Sequence, residues 1–114
     1  MTRVLVVDDD PAWVAIVEAA LAPAKVVHAH CGDAALAMID DDGADYSVAL
    51  VDVRMPGSWR EIRRTLRDLG VPVFVVTSSV PPTGELQRIA RLKTLDTLAA
   101  VESEVRARAY PDRR

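Results

Sequence analysis

The sequence is poor in several residue types: one cysteine, two histidines, two lysines and five aromatic side chains among 114 residues. Cys31 has no intramolecular partner, which excludes a disulfide framework, and together with His28 and His30 it falls short of a zinc ligand set. On a strand the two histidines share one face, an arrangement that ordinary packing explains. No apolar run reaches the roughly 18 residues of a membrane span, and the N-terminus lacks a signal-peptide pattern. A cytoplasmic protein is expected. Fourteen basic against 17 acidic residues leave a net charge of −3, which gives no general attraction to nucleic acid or to an anionic membrane. The length suits one domain and leaves no room for an output module behind a linker. With 50% hydrophobic and 27% charged residues, the chain can bury a proper core and should fold alone.

The order of segments is regular. Arg3 to Val7 is a nearly continuous apolar run, suited to a strand buried on both faces of a parallel sheet. Asp8, Asp9 and Asp10 then precede Pro11, and an Asp before a first-turn proline starts a helix. Trp13, Val14, Ile16, Val17, Ala20 and Leu21 recur at helical spacing until Pro23 ends the pattern. Lys25 to Ala29 reads as a second strand. Gly32 and Asp33 open the next helix, with Leu36 and Ile39 on one side and Gly43 closing it. Ser47 to Val53 is the third strand, with Asp52 near its C-terminal end. Met55, Pro56 and Gly57 make a turn, and Ser58 with Glu61 forms a capping box. Trp59, Ile62, Leu66 and Leu69 mark the following helix face, with Gly70 just beyond its end. Val71 to Thr77 is the fourth strand.

Repeated strand-then-helix units imply parallel strands joined by right-handed crossovers, with helices on both faces of the sheet. After Ser79 the pattern is compressed. A parallel crossover takes about a dozen residues or more, yet Ser79 to Lys93 must hold both the next crossover and any fifth strand, and Pro81, Pro82 and Gly84 interrupt its start. Two arrangements remain open: Glu85 to Leu92 is a stunted helix followed by a very short strand, or 88–93 is the strand and the helix has nearly vanished. Leu95, Leu98, Val101 and Val105 define a last amphipathic helix, with Arg106 and Arg108 complementing its C-terminal dipole. The expected organisation is a domain over 1–109 and a tail over 110–114.

Functional groups of an open parallel sheet gather at the C-terminal ends of its strands. This brings Asp8, Asp9, Asp52, Thr77 and Ser78 into one crevice. Three carboxylates together either raise one another's pKa or bind a hard cation, and Mg²⁺ is the natural choice. Helix capping alone would need one aspartate and would not involve Asp52.

Three segments carry a family resemblance: Val4-Leu5-Val6-Val7-Asp8-Asp9-Asp10-Pro11, Val48 to Gly57 around Asp52, and Pro72 to Thr77. In combination they resemble the receiver domain of two-component response regulators, a CheY-like, flavodoxin-like α/β fold with a doubly wound parallel sheet, over about residues 3–107. The resemblance implies that Asp52 accepts a phosphoryl group from a phosphohistidine on a sensor histidine kinase or phosphotransfer protein. It implies that Asp9, Asp52 and the backbone carbonyl of Arg54 hold Mg²⁺, that Asp8 reaches the ion through water, and that Thr77 donates to the phosphoryl group, with Ser78 adding a backbone N–H. It also implies a lysine for the phosphoryl group. Lys25 lies at the wrong end of its strand, so Lys93 is chosen. The alternative for Lys93 is a solvated charge at a helix end. Such a domain is no enzyme beyond its own phosphorylation and dephosphorylation, and it signals through a protein target that the sequence does not name, without binding nucleic acid or membrane. A homodimer stays open.

The departures cluster after Ser79. Thr94 replaces the proline that usually follows the lysine, and a cis bond there would cost about 2.5 to 4 kcal/mol. Ala90 stands where the family carries an aromatic switch. Arg54 and Ser79 occupy the two positions where the family tunes phosphoryl hydrolysis. A shortened fourth crossover, about residues 79–93, accounts for a chain somewhat shorter than the usual receiver. The shortened 79–93 region, Thr94 and the missing aromatic motivate a second reading, a pseudo-receiver that binds partners independently of phosphorylation. Two other classes fail on the sequence itself. A phosphatase of the haloacid dehalogenase class needs a second Asp where Arg54 stands, and a flavodoxin-like nucleotide binder needs a phosphate cradle where Asp8 to Asp10 would repel phosphate.

Overall fold

The structure is a computed structural model that describes residues 2–42, 45–54, 59–79 and 84–109. The turn Met55-Pro56-Gly57, the Ser58 half of the capping box, Gly43, Pro81, Pro82 and the tail 110–114 lie outside the described residues. Among the described residues five strands, β1 (Arg3–Val7), β2 (Lys25–Ala29), β3 (Val48–Asp52), β4 (Val73–Thr77) and β5 (Ala90–Leu92), alternate with five helices, α1 (Pro11–Leu21), α2 (Gly32–Asp42), α3 (Trp59–Asp68), α4 (Gly84–Ile89) and α5 (Leu95–Ala109). All strand pairs are parallel, in the order β2-β1-β3-β4-β5. This is the doubly wound α/β sandwich expected from the sequence.

Period-2 alternation divides the central strands between two cores. Leu5, Val7, Ala49 and Val51 face one core, closed by Ala35 and Ile39 of α2 and by Trp59, Ile62 and Leu66 of α3. Val4, Val6, Val48 and Leu50 face the other, closed by Trp13, Val14, Val17 and Leu21 of α1 and by Leu98, Val101 and Val105 of α5. Leu50 is fully buried in β3, which pairs with β1 and β4. Leu50→Ala should cost about 2–5 kcal/mol of stability, read as a lower urea midpoint, because the cavity cannot collapse between two flanking strands.

The helix ends follow their sequence signals. Asp10 caps α1, its Oδ1 accepting from the Ala12 N–H at 3.0 Å, with Pro11 in the first turn. Gly70, at φ +80°, lets α3 close with Gly70 N–H donating to Arg67 O and Val71 N–H to Leu66 O, a Schellman end that brings buried Val71 back to Leu66. Three large residues read at core spacing are not buried, and Ala20 is exposed as well. Ile16, Leu69 and Leu95 are exposed, Leu95 by 80%. Three residues advance a helix about 300°, so Leu95 sits off the stripe of Leu98, Val101 and Val105, and Ile16 sits off the stripe of Trp13, Val17 and Leu21. Leu69 lies beyond α3, where the chain turns. The strands are also shorter than expected: β3 starts at Val48 and ends at Asp52, and β4 starts at Val73.

Of the two arrangements left open after Ser79, the structure has the first, a stunted helix followed by a very short strand. Helix α4 has six residues and buries none, and β5 follows it directly with three residues. Leu86, Ile89 and Ala90 pack only partly against the core. An exposed Arg60–Glu85 ion pair joins α3 to α4.

Candidate functional site

The register assembles the acidic site. Val7 pairs with Val51, so Asp8 and Asp52 follow on neighbouring strands, and Thr77 pairs with Leu92, one residue before Lys93. By alternation Asp8 and Asp52 share the face of Val6 and Leu50, the side covered by α1 and α5. Carboxylate oxygens of Asp8, Asp9 and Asp52 all lie within 4.8 Å of one another; Asp8 and Asp52 are buried and Asp9 is exposed.

Each buried carboxylate has one oxygen held by backbone and one facing Lys93. Asp8 Oδ1 accepts from the Asp10 N–H at 2.9 Å, which folds the turn that starts α1. Asp52 Oδ1 accepts from the Arg54 N–H at 2.8 Å. Lys93 Nζ donates to Asp52 Oδ2 at 2.9 Å and lies 2.8 Å from Asp8 Oδ2. The contact to Asp8 is an ion pair without hydrogen-bond alignment, so Asp8 Oδ2 stays buried with no hydrogen bond among the described residues. Burial pushes the Asp8 carboxyl up, with the Asp52 charge adding to it, against the pull of Lys93 and the Asp10 N–H. Lys93 is also raised: burial alone would lower it, but its contacts with Asp8 and Asp52 outweigh that.

The Lys93 backbone is fixed without proline. Its N–H donates to Thr77 O at 3.0 Å. Thr97 Oγ1 donates to the preceding carbonyl, Leu92 O, at 2.6 Å. Thr94 Oγ1 accepts from the Thr97 N–H at 3.3 Å, so the residue in place of proline is the N-cap of α5. Among the described residues the only cis peptide precedes Pro23.

Thr77 is buried at the end of β4, its hydroxyl donating to its own loop at Ser79 O, 3.1 Å away. Ser78 is exposed. The Arg54 guanidinium donates to Ser79 Oγ, joining the loops after β3 and β4. Lys25 lies at the opposite end of the sheet, paired with Arg3. Two residues near the site escaped the sequence reading. His28 Nε2 lies 2.6 Å from Asp8 O, and since a carbonyl only accepts, this nitrogen carries the proton. Trp13 lies beside Lys93. His28 has the strand parity of any packed residue, and Trp13 fits a helix core, so neither stood out.

The donor set fits a hard divalent cation. Three converging carboxylates, with no hydrogen bond among the described residues to the buried Asp8 Oδ2 and one ammonium to balance all three, suit Mg²⁺, which takes oxygen ligands and keeps several waters. One prediction needs no cation. Because the folded-state pKa of Asp8 is raised, the folded chain holds this proton more tightly than the unfolded one, and stability falls as pH rises above the ordinary carboxylate value of 3.8. Asp8→Asn should therefore raise the metal-free urea midpoint at pH 7, with the gain fading as pH drops through that range. It should also weaken any Mg²⁺ response.

No family sequence model and no curated relative matches the chain. Solved structures do. A CheY-like response regulator receiver domain protein from Methanospirillum hungatei JF-1 superposes with a TM-score of 0.76 at 20% identity, over 97% of this chain and 98% of that one. The receiver domain of the Francisella response regulator 1452 gives 0.75 at 20%, over 96% and 99%. A receiver domain protein from Clostridium thermocellum gives 0.74 at 17%, over 97% and 96%. This chain has the receiver fold. The acidic crevice of this receiver fold lies at the C-terminal strand ends. No described helix is long and apolar enough to cross a membrane.

Proposed function

We propose that this chain is the receiver of a two-component response regulator, phosphorylated on Asp52 in a Mg²⁺-dependent reaction by a partner's phosphohistidine, and that it signals by binding a protein. The observation that carries this reading is the buried Asp52 carboxylate, held at Oδ1 by the Arg54 N–H and at Oδ2 by Lys93, beside Asp8 and Asp9. An Asp52 oxygen attacks phosphorus, an O–P bond forms as the N–P bond of the phosphohistidine breaks, and the departing imidazole nitrogen takes a proton from water.

The backbone N–H of Arg54 fixes Oδ1, whereas Lys93 sits on a flexible stem, so Oδ2 is the oxygen that can be released to attack. Lys93 then follows the charge onto the phosphoryl oxygens. Asp9, Asp52 and the Arg54 carbonyl would hold Mg²⁺, with Asp8 behind a water, and the ion supplies charge neutralisation for the incoming phosphoryl group. The Thr77 hydroxyl exchanges Ser79 O for a phosphoryl oxygen, which shifts the β4 loop. The donor is a sensor histidine kinase or phosphotransfer protein, and chemistry is confined to the chain's own phosphorylation and dephosphorylation.

Incubation with a small-molecule phosphodonor and Mg²⁺ should add one phosphoryl group by intact mass, and chelation should prevent it. No addition to the folded chain would overturn the reading. The pseudo-receiver loses one of its three motives here, because Thr94 serves as a helix cap where proline is expected and Lys93 still reaches both carboxylates.

A further inference from the structure

Trp13 is 5% exposed and its indole Nε1 is buried with no hydrogen-bond partner among the described residues. An orphaned buried N–H is unfavourable, and leucine or methionine would fill an apolar slot on α1 without that cost. Core packing is therefore an incomplete reason for tryptophan at this position. The ring has a second neighbour: the Lys93 ammonium lies 5.8 Å from its centroid, inside the range at which a cation is attracted to an indole face. Asp8 Oδ2 and Asp52 Oδ2 lie 2.8 and 2.9 Å from the same ammonium. The Lys93 side chain is only 9% exposed, so the contact is largely shielded from water.

Two devices thus act on Lys93 at different levels. Thr77, Thr94 and Thr97 fix its backbone, but its four-carbon stem leaves the ammonium free to choose among positions. Trp13 limits that choice. It is held in place through the site itself, because Asp8 Oδ1 binds the Asp10 N–H, and Asp10 caps the first turn of α1 that carries Trp13.

We propose that Trp13 is a positioning residue for Lys93, its indole face keeping the ammonium against Asp8 and Asp52 and thereby supporting transfer to Asp52. The part concerning transfer rests on the proposed phosphorylation of Asp52.

With only two lysines in the chain, ¹³C-lysine labelling of the full protein gives one Cε–Hε group for each. The Lys93 Hε signal should be shifted upfield from that of Lys25 by the indole ring current and should show a contact with the Trp13 ring protons. Trp13→Leu should remove the shift and slow phosphorylation by a small-molecule phosphodonor about tenfold, in the range of a shielded cation–π contact. Trp13→Phe, which keeps an aromatic face, should restore much of both. An unshifted Lys93 signal and no ring contact in the unmodified protein would overturn the proposal with no variant required. A folded Trp13→Leu protein with the parent's Lys93 shift, or with the parent's phosphorylation rate, would do the same. If Asp52 takes up no phosphoryl group while the Trp13-dependent shift is present, phosphorylation is refuted and the positioning of Lys93 stands.

Discussion

Asp52→Asn will take up no phosphoryl group from a small-molecule phosphodonor in the presence of Mg²⁺, while the parent takes up one. The loss should be complete, since an amide cannot supply the nucleophilic oxygen. The fold should survive. The amide oxygen can still accept from the Arg54 N–H, and Lys93 keeps Asp8 as its counter-ion. Removing one carboxylate from a cluster of three against one ammonium also relieves repulsion, so the metal-free variant should be no less stable than the parent. Intact mass counts the phosphoryl group and urea unfolding checks the fold. Uptake by the variant would place the acceptor elsewhere and detach the chemistry from the geometry around Asp52.

Lys93→Met will lower stability through charge rather than packing. It keeps much of the stem and deletes the charge, leaving Asp8 and Asp52 buried together with no cation. Breaking a buried ion pair by removing one partner costs about 3–5 kcal/mol, and the lower end applies because the carboxylates can take up a proton instead. The pH dependence has a definite sign. The folded pKa of Lys93 is raised, so its contribution is fully present below the ordinary lysine value of 10.5 and is lost only as pH rises through the folded value. The parent's advantage should therefore be steady through neutral and mildly alkaline pH. Toward acid it should shrink, because the Asp8 carboxyl, already raised by burial, will bind its proton more readily once Lys93 is gone. Mg²⁺ should recover part of the loss at pH 7 by supplying the missing positive charge. Urea midpoints across pH, with and without Mg²⁺, read all three effects, and a midpoint unchanged at pH 7 would contradict them.

Much of this site was legible because strands carry strong signals. Apolar runs ending in Asp8, Asp52 and Thr77 place those groups at one edge of a parallel sheet, whatever the loops do. Lys93 followed from the family resemblance and from the scarcity of lysine, and the short helix before β5 was one of two readings that residue counting allowed. What escaped was the environment of the side chains. Thr94 read as a missing proline, when its hydroxyl caps α5. Trp13 read as a helix core residue, although strand parity turns Asp8 and Asp52 toward the α1 side where it sits. His28 read as packing, because a bond to the Asp8 carbonyl depends on a distance across the sheet that periodicity does not contain. Leu69 and Leu95 show a related limit, since spacing marks a stripe but not where the helix bearing it stops or how far that stripe drifts.

Lys93 also has a meaning for the assembly of the chain. It sits beyond β5 while Asp8 follows β1, so the ion pair closes a long loop that takes in the other four strands of the sheet, β2 to β5. The strand leading to Lys93 has three residues and the helix before that buries none, so the ion pair adds to a short ladder with β4, the partial packing of Leu86, Ile89 and Ala90, and the core contacts of α5. Closing so long a loop is entropically unfavourable until the contacts at its ends form. The charges that define the site are therefore also a clasp across that loop, and a change of charge at Asp52 acts on the same closure.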